Sequence, residues 1–472
     1  MTARVSPEEL LALPAWPEDP LPQIRALGAD TMVVALDDDP TGTQTVRDVP
    51  VLTGWSVERL RSLLDGNEPL AFLLTNSRSL PTHEAATLAA AIGQTLRTSG
   101  HGARRALTVI SRSDSTLRGH YPAEVDPLVA ALGVPDARIL LAPYFGDGGR
   151  LTVGGIHHLR RGDDLVPVAD TEFARDAVFG YHSSDLRAWV QERAAAIPGA
   201  RQRAVQVLTL DRIRGDGPGA VRDALLALPD GGVLAVDAAA ERDIEVVALG
   251  AVMAEQAGLP LVGRTAASYV RARAGLDTVL PLDPDEIDTG RPGLVVIGSH
   301  VPTTTAQMER LLADPPIRIM PLALSVSELL ADGADGRRRR IETLAAAADE
   351  ALREGVTPVI MTSRLLQRGA DSEADLAISA AVSAALVSIV GAIELRPAWV
   401  LAKGGITSSD IATLALGVDE ARIVGPLLPG VPLWRSGPSA RWPGLALLVF
   451  PGNVGGPDAV RDAVARLSGV AT

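Results

Sequence analysis

The amino-acid sequence predicts an α/β protein of two domains, each a mainly parallel sheet covered by helices. Short runs rich in β-branched residues alternate with longer segments whose apolar residues recur at helical spacing, which is typical of strand–helix–strand units. This alternation stops over residues 281–292, where Pro, Asp and Gly cluster without periodicity. A length of 472 residues also suits two or three domains. We therefore predict an N-terminal extension at 1–30, a first domain at 31–280, a linker at 281–292 and a second domain at 293–472.

The individual elements follow from the same patterns. In the first half we expect strands at Thr31–Leu36, Leu70–Leu74, Leu107–Ile110, Ile139–Ala142, Val205–Leu210 and Val233–Val236. Helices are expected between them at Thr82–Arg97, Ala123–Leu132, Asp185–Ala196 and Glu241–Ala257. In the second half the predicted strands are Gly293–Ile297, Pro358–Met361, Trp399–Ala402, Arg422–Val424 and Leu445–Phe450.

Composition and charge exclude several classes of function. A net charge of −13 argues against general nucleic-acid binding, and the dense basic run Arg337–Arg340 lies in a helical pattern typical of a solvated face. Because the chain has no cysteine, thiolate metal sites and cysteine nucleophiles are excluded. No apolar run approaches the roughly 18 residues of a membrane helix, and no signal peptide is visible. We expect a cytoplasmic protein that binds small molecules, not nucleic acid or membrane, with a homodimer as an assembly to test.

Polar residues follow three predicted strands of the first domain where each strand ends. They are Asp37, Asp38, Asp39, Arg78, Arg112, Ser113, Asp114, Ser115 and Arg118. Ligands of parallel sheets bind at the carboxyl ends of strands. Packed carboxylates repel unless a cation or a shared proton relieves them, and arginines with hydroxyls suit a small polyhydroxylated carboxylate. The alternatives without a functional role are an acidic turn at Asp37–Asp39 and a local ion pair of Asp114 with Arg112 or Arg118. The glycine-rich loop 143–152 adds another arginine, and it is either a lid or a long turn.

Lys403 is the only lysine among 44 basic residues. It directly follows the predicted strand Trp399–Ala402 and precedes Gly404-Gly405, and we expect Ser408 and Ser409 to cap the helix that follows. A strand, a glycine turn and a helix N-terminus together form a typical phosphate cradle. An ammonium is a compact point charge that the planar guanidinium does not replace.

Two further strand ends of the second half are rich in small residues. Gly298-Ser299 precede a run of threonines, and Gly452, Asn453 and Gly455 follow the last strand. Several such loops in one half suit a nucleotide. No Walker-type motif G-x-x-x-x-G-K-[ST] is present.

Six segments together resemble the four-carbon acid sugar kinase family. They are DDDPTGTQT at Asp37–Thr45, SRSL at Ser77–Leu80, SRSDSTLRGHYPAE at Ser111–Glu124, GSHVPTTTAQ at Gly298–Gln307, AKGGITSSD at Ala402–Asp410 and FPGNVGG at Phe450–Gly456. The resemblance implies that the first domain binds the sugar acid and the second binds ATP. It also implies phosphorylation of the terminal hydroxyl of threonate, erythronate or an oxo-tetronate.

Carried over by position, the resemblance assigns two sets of binding residues. The sugar-acid set is Asp38, Asp39, Arg78, Ser113, Asp114 and Ser115, to which the residues themselves add Arg112 and Arg118. The nucleotide set is Ser299, Gly404, Gly405, Ile406, Thr407 and Gly452, to which the glycine loops add Lys403, Asn453 and Gly455. Two departures stand out: the family's usual lysine before the DST segment is Arg112, and its Gly-Gly-Glu-Thr turn has Ile406. Ile406 offers no carboxylate, so contacts there must come from backbone or Thr407.

Phosphoryl transfer requires placement and charge neutralisation more than covalent chemistry. We predict that Lys403 acts on the phosphates or on their placement through the glycine turn, and that Mg²⁺ binds mainly through ATP. Asp114 or Asp39 would accept the hydroxyl proton, and the sequence does not choose between them.

Two other classes of function remain open from the sequence. Asp37-x-Asp39-x-Thr41 after a hydrophobic strand matches the first motif of haloacid-dehalogenase-type phosphatases, with Thr75 and Gly162-Asp163-Asp164 as partners. A noncatalytic sugar-acid sensor is the second alternative.

Overall fold

A computed structural model describes residues 6–287, 290–299, 301–363, 372–452 and 454–470. The chain divides into two compact units. The first comprises Met1–Thr45 and Gly54–Thr278, and the second comprises Val46–Thr53 and Val279–Thr472. The short segment Val46–Thr53 thus belongs to the second unit, although the sequence-based division places it in the first domain. A strand of four residues carries no local signal for the sheet that it joins.

The strands and helices have the following bounds. The strands are β1 Thr31–Asp37, β2 Val49–Leu52, β3 Leu70–Leu74, β4 Ala106–Arg112, β5 Arg138–Ala142, β6 Arg150–Val153, β7 Ile156–Arg161, β8 Asp164–Pro167, β9 Val205–Leu208, β10 Val233–Val236, β11 Leu261–Thr265, β12 Leu294–Ile297, β13 Ile319–Leu324, β14 Thr357–Thr362, β15 Trp399–Lys403, β16 Glu420–Leu428, β17 Val431–Ser436 and β18 Ala446–Phe450. The α-helices are α1 Pro7–Ala12, α2 Leu21–Leu27, α3 Val57–Asp65, α4 Thr82–Gly100, α5 Val125–Leu132, α6 Leu186–Ala195, α7 Leu210–Ala227, α8 Glu241–Gln256, α9 Ala267–Arg273, α10 Pro302–Ala313, α11 Val326–Ala331, α12 Ala334–Arg353, α13 Ser372–Ala392, α14 Gly405–Asp410 and α15 Ala459–Leu467.

The first unit is built on a parallel sheet in the order β3-β1-β4-β11-β5-β10-β9. Strands β1 and β3 are apolar along nearly their whole length, because helices cover both faces of a parallel sheet. Strands β6, β7 and β8 form a separate antiparallel sheet of three strands. The carboxyl ends of β3, β1 and β4 are therefore neighbours, as the site prediction requires.

The second unit contains strands in the order β13-β14-β12-β15-β18-β17-β16-β2. The first five pair in parallel, and β17, β16 and β2 pair antiparallel at one side. Its core lies between this sheet and helices α10 and α15, where Trp399, Leu401 and Phe450 are fully buried. Adjacent strands β12, β15 and β18 carry the three small-residue loops on their carboxyl ends.

The predicted α/β class with mainly parallel sheets is confirmed. The strand at Val205–Leu210 was predicted too long, because helix α7 already begins at Leu210. Strands β2, β6, β7, β8, β11, β13 and β17 were not predicted; they are short or contain Gly, Pro or Arg, so their apolar runs are broken. Ser408 and Ser409 do not cap a helix, because α14 begins at Gly405. The Ser408 hydroxyl instead donates to Ala402 O at 2.6 Å.

Candidate active site

The acidic cluster of the first unit begins with Asp37, the last residue of β1. Its side chain is 1% exposed, and Oδ1 accepts from Arg112 Nη1 at 2.8 Å across the β1–β4 pair. Burial raises the pKa of Asp37 to about 7, Arg112 opposes that shift, and the charges of Asp38 and Asp39 add to it. Oδ2 has no hydrogen-bond partner in the described part of the chain. Asp37 is thus a buried carboxylate held by one arginine.

Asp38 and Asp39 share Arg78, which follows β3. Arg78 Nη2 lies 3.1 Å from Asp38 Oδ1 and 3.2 Å from Asp39 Oδ2. Burial raises the pKa of Asp38, whereas the pKa of Asp39 is lowered because Arg78 and two hydrogen bonds from Thr41 outweigh its burial. Asp39 is 19% exposed and Asp38 only 4%. Asp39 is therefore the member of this pair that a ligand can reach and that stays ionised.

Asp114 lies in the loop after β4. It accepts from Arg118 Nε at 2.9 Å and from the Thr116 hydroxyl, and Arg78 Nη1 lies 3.5 Å away. Although burial alone would raise the pKa of Asp114, Arg118 and Arg78 hold it well below the usual carboxyl range. Arg78 thus joins all three strand ends, and the side chains predicted from separate loops form one cluster.

Ser113 and Ser115 flank this aspartate and are buried. Ser113 N donates to Thr265 O at 2.8 Å, and Ser115 O accepts from His157 Nε2 at 2.7 Å. Burial lowers the pKa of His157 to about 4, so the ring is neutral and its Nδ1 accepts from Thr152, 2.9 Å away. A neutral histidine of β7 therefore fixes the loop that presents Asp114.

A second layer supports the cluster and was not predicted as part of the site. Arg264 of β11 lies 3.3 Å from Glu124 Oε2 and donates to Ser111 at 2.9 Å, and Glu124 also accepts from Ser77. His120 Nε2 donates to Ser77 O at 3.1 Å. These bonds fix the turn that carries Arg78. An arginine inside an otherwise apolar strand, as in LVGRT, is the sequence signal that could have indicated Arg264.

In the second unit, Lys403 ends β15 and is completely buried. Its Nζ lies 2.5 Å from Pro451 O, 3.4 Å from Gly452 O and 4.0 Å from the centre of the Phe450 ring. Burial lowers the pKa of Lys403 to about 7. In this geometry the ammonium holds the loop after β18.

Three small-residue turns meet around that loop. Gly404 has φ +117°, and a Cβ there would lie 3.2 Å from the Ser299 Cβ. A Cβ on Gly298 would lie 2.2 Å from Thr407 Oγ1, and one on Gly452 would lie 3.1 Å from Ser299 Oγ. The predicted residues Ser299, Gly404, Thr407 and Gly452 therefore come together, and glycine is required where the turns approach each other.

Gly405, Ile406 and Gly455 lie around these turns. Gln307 Nε2 donates to the carbonyls of Val454, Gly455 and Gly456 at 2.9, 3.1 and 3.0 Å, which fixes the Gly455 loop. Ile406 is 50% exposed beside Gly405 at the start of α14. Asn453 lies outside the described residues.

The phosphatase alternative loses its nucleophile and its second acidic motif. Asp37 is buried and paired with Arg112 at 2.8 Å, an environment that does not suit a nucleophile that must reach a substrate phosphate. Asp163 lies in the exposed turn between β7 and β8.

Within the described ranges, no group of three or more Asp, Glu or His side chains is arranged to hold a metal ion. None of the described helices has the length and apolarity that crossing a bilayer requires.

Comparison with known proteins matches both halves of the chain. Residues 33–273 match the model of a sugar-binding N-terminal domain, and residues 294–460 match that of a nucleotide-binding C-terminal domain. A 3-oxo-tetronate kinase of Cupriavidus necator is 28% identical over 456 residues, 92% of this chain and 96% of that protein. A D-erythronate kinase of Heliobacterium modesticaldum is 30% identical over 200 residues, 42% of this chain and 41% of that protein.

Solved structures share the fold. A Salmonella typhimurium LT2 protein, provisionally named a tRNA synthase, aligns with a TM-score of 0.66 at 18% identity, over 92% of this chain and 98% of that one. A Haemophilus influenzae protein of a family named DUF1537 aligns with a TM-score of 0.61 at 17% identity, over 93% and 100%. At these identities the likeness concerns the fold alone.

The matches to a sugar-binding and a nucleotide-binding domain, together with relatives named as kinases, identify the chain as a carbohydrate kinase. The chain belongs to the four-carbon acid sugar kinase family. It is accordingly a sugar acid kinase, a phosphotransferase.

Proposed function

We propose that this kinase uses ATP to phosphorylate the terminal hydroxyl of a four-carbon sugar acid: threonate, erythronate or an oxo-tetronate. The observation that carries the proposal is the cluster in which Arg78 joins Asp38, Asp39 and Asp114 at three adjacent strand ends. Carboxylates accept hydrogen bonds from hydroxyls, and guanidinium groups balance the negative charge of an acid. The named relatives act on acids of this class.

The sugar acid would bind in the first unit and the nucleotide in the second. We assign the acid to Asp38, Asp39, Arg78, Arg112, Ser113, Asp114, Ser115 and Arg118. Asp39 and Asp114 are the candidates for the group that accepts the hydroxyl proton, because both are partly exposed and their lowered pKa values keep them ionised. An ionised aspartate that orients the hydroxyl suits a loose phosphoryl-transfer transition state.

For the nucleotide we propose Ser299, Lys403, Gly404, Gly405, Ile406, Thr407, Gly452, Asn453 and Gly455. Lys403 would act by positioning the turn at Pro451–Gly452, since its Nζ donates hydrogen bonds to the backbone carbonyls of both residues. A bound Mg²⁺ would neutralise negative charge on the phosphates of ATP. The acidic oxygens of the first unit are largely taken by arginines, so we propose that the ion comes with ATP.

The test is a panel of four-carbon acids incubated with ATP, with ADP release as the readout and a neutral four-carbon polyol as the control. Phosphate release from sugar phosphates is measured in parallel. Acid-dependent ADP release is expected. Phosphate release without ATP would favour the phosphatase alternative, and acid binding without turnover would favour a sensor. Gel filtration and cell fractionation would test for a homodimer and for a cytoplasmic location.

A further inference from the structure

The arginines predicted to grip the substrate carboxylate are already paired with aspartates. Arg112 pairs with Asp37, Arg78 with Asp38 and Asp39, and Arg118 with Asp114 at 2.9 Å. Arg118 Nη1 also lies 3.5 Å from an aspartate of the loop before α6, Asp176. A guanidinium that serves two internal carboxylates has few donors left for a third.

Arg150, the first residue of β6, differs from these three. Its guanidinium forms no ion pair within the described ranges, and the one hydrogen bond recorded for it goes from Nη1 to the carbonyl of Gly148. Nε is buried and has no partner in the same ranges, which is also true of Nε in Arg78 and Arg112, so the missing ion pair is what distinguishes Arg150. A partly buried arginine whose N–H donors lack acceptors costs free energy unless a ligand supplies those acceptors.

The position of Arg150 relates it to the acidic cluster. Its Cζ lies 5.8 Å from the centre of the Phe173 ring, and the Cζ of Arg118 lies 5.1 Å from the same ring. Burial lowers the pKa of Arg150, while the nearby negative charge of Asp114 raises it and Arg118 lowers it. Arg150 is therefore next to the loop that carries Asp114.

Backbone hydrogen bonds close the loop that carries Arg150. Phe145 and Arg150 exchange two backbone hydrogen bonds of 2.9 Å, which close the loop 145–150. A Cβ on Gly148 would lie 2.1 Å from Arg150 Nη1, so glycine at 148 leaves room for the guanidinium. The loop that could have been a lid is a turn that presents one arginine.

We infer that Arg150 binds the carboxylate of the sugar acid and determines the preference for acids over neutral polyols. The inference rests on the proposed function, because it assumes that a sugar acid occupies the Asp39–Asp114 cluster. The paired arginines then set the orientation of the aspartates, and Arg150 completes the charge balance of the anionic substrate.

The test compares Arg150→Met with the parent and with Arg161→Ala. Methionine preserves packing against Phe173, and Arg161 is an exposed arginine of the same small sheet, paired with Glu172. Arg150→Met should raise KM for the acid roughly 10- to 100-fold, with kcat changed less than about threefold and KM for ATP unchanged. It should also lose most of the parent's preference for the acid over the polyol. Arg150→Lys, which keeps the charge, should recover part of the acid affinity.

An increase in KM no larger than that of Arg161→Ala, or an unchanged acid preference, would overturn the inference and leave the proposed function standing. A parent protein that neither binds nor phosphorylates any acid would overturn both. Thermal unfolding of each variant separates folding from binding. If Arg150→Met does not fold, Arg150→Lys, which keeps the charge, is compared with Arg150→Gln, which removes it. An equal preference for the acid over the polyol in these two variants would count against the carboxylate role.

Discussion

Replacing the lone lysine with methionine should separate nucleotide chemistry from folding. In the parent, Lys403 Nζ lies 2.5 Å from Pro451 O and 3.4 Å from Gly452 O, above the ring of Phe450. Methionine keeps an unbranched stem and the ring contact, but it donates no hydrogen bond. Because Gly452 O also accepts from Thr304 at 2.9 Å, it is the Pro451 carbonyl that loses its donor.

The size of each effect follows from these contacts. A buried carbonyl without a partner costs about 1–3 kcal/mol. Removing an ammonium whose pKa burial lowers to about 7 offsets part of that cost, so we expect the free energy of unfolding to fall by no more than about 2 kcal/mol. A displaced phosphate turn should cost about 2–4 kcal/mol of transition-state stabilisation, or about 30- to 800-fold in kcat/KM.

The assays are steady-state kinetics, calorimetry with the acid and with an ATP analogue, and thermal unfolding. Affinity for the acid should stay within about twofold, since Lys403 belongs to the second unit. Arg441→Met is the matched control, because Arg441 also donates to backbone carbonyls, those of Val390, Gly391 and Ile393, and stacks on Trp442. Loss of acid affinity with ATP affinity retained would refute the domain assignment, and full activity of Lys403→Arg would show that the ammonium is not required.

Two further predictions concern the first unit. Asp114→Asn should lower kcat about 10²- to 10⁴-fold with a smaller change in acid affinity, and Asp39→Asn assayed in parallel tells which aspartate is the base; normal kcat in both variants would exclude both. Asp237 follows β10 and accepts hydrogen bonds from the backbone N–H groups of Gly154, Gly155 and Leu210. Burial raises the pKa of Asp237 to about 7, so the stability that this group contributes falls as pH rises from about 4 to about 7. Asp237→Asn should weaken that decline, measured by urea unfolding at pH 5 and 7.5, and an unchanged slope would contradict the assignment.

The sequence was sufficient for the cluster but not for its pairings. Asp37, Arg78 and Arg112 each follow an apolar run, and parallel pairing brings such ends together, so their proximity could be predicted. Which carboxylate meets which guanidinium depends on side-chain direction beyond the strand, which no local pattern encodes. Arg264 was missed because Gly263 and Arg264 interrupt the apolar run of β11.

The sheet β6-β7-β8 was missed for a similar reason. Its strands have four to six residues and include His157 and several arginines, so neither the two-residue period of a strand nor the 3.6-residue period of a helix is evident. Two side chains near the site were therefore missed as well, because this sheet supplies His157, which donates to Ser115 O, and also Arg150. Side chains that support a site from short polar strands are the ones that pattern reasoning is least able to find.

One departure from the family pattern, Arg112 in place of the usual lysine, lies next to the DPTGTQT turn. A Cβ on Gly42 would lie 2.2 Å from Asp37 Oδ2 and 2.5 Å from Arg112 Cζ, so the DPTGTQT turn passes directly over this ion pair. A lysine at position 112 would have no Cζ guanidinium carbon there, and the turn would have more space.

Gly42→Ala should therefore destabilise the parent by about 1–3 kcal/mol, as overpacking does in a well-packed core. The same change should cost at least about 0.5 kcal/mol less in an Arg112→Lys background, because the closest guanidinium carbon is gone. A double-mutant cycle measured by urea unfolding gives that coupling directly. Strict additivity would mean that clash with Asp37 alone requires glycine, and that the turn and Arg112 are independent features of this chain.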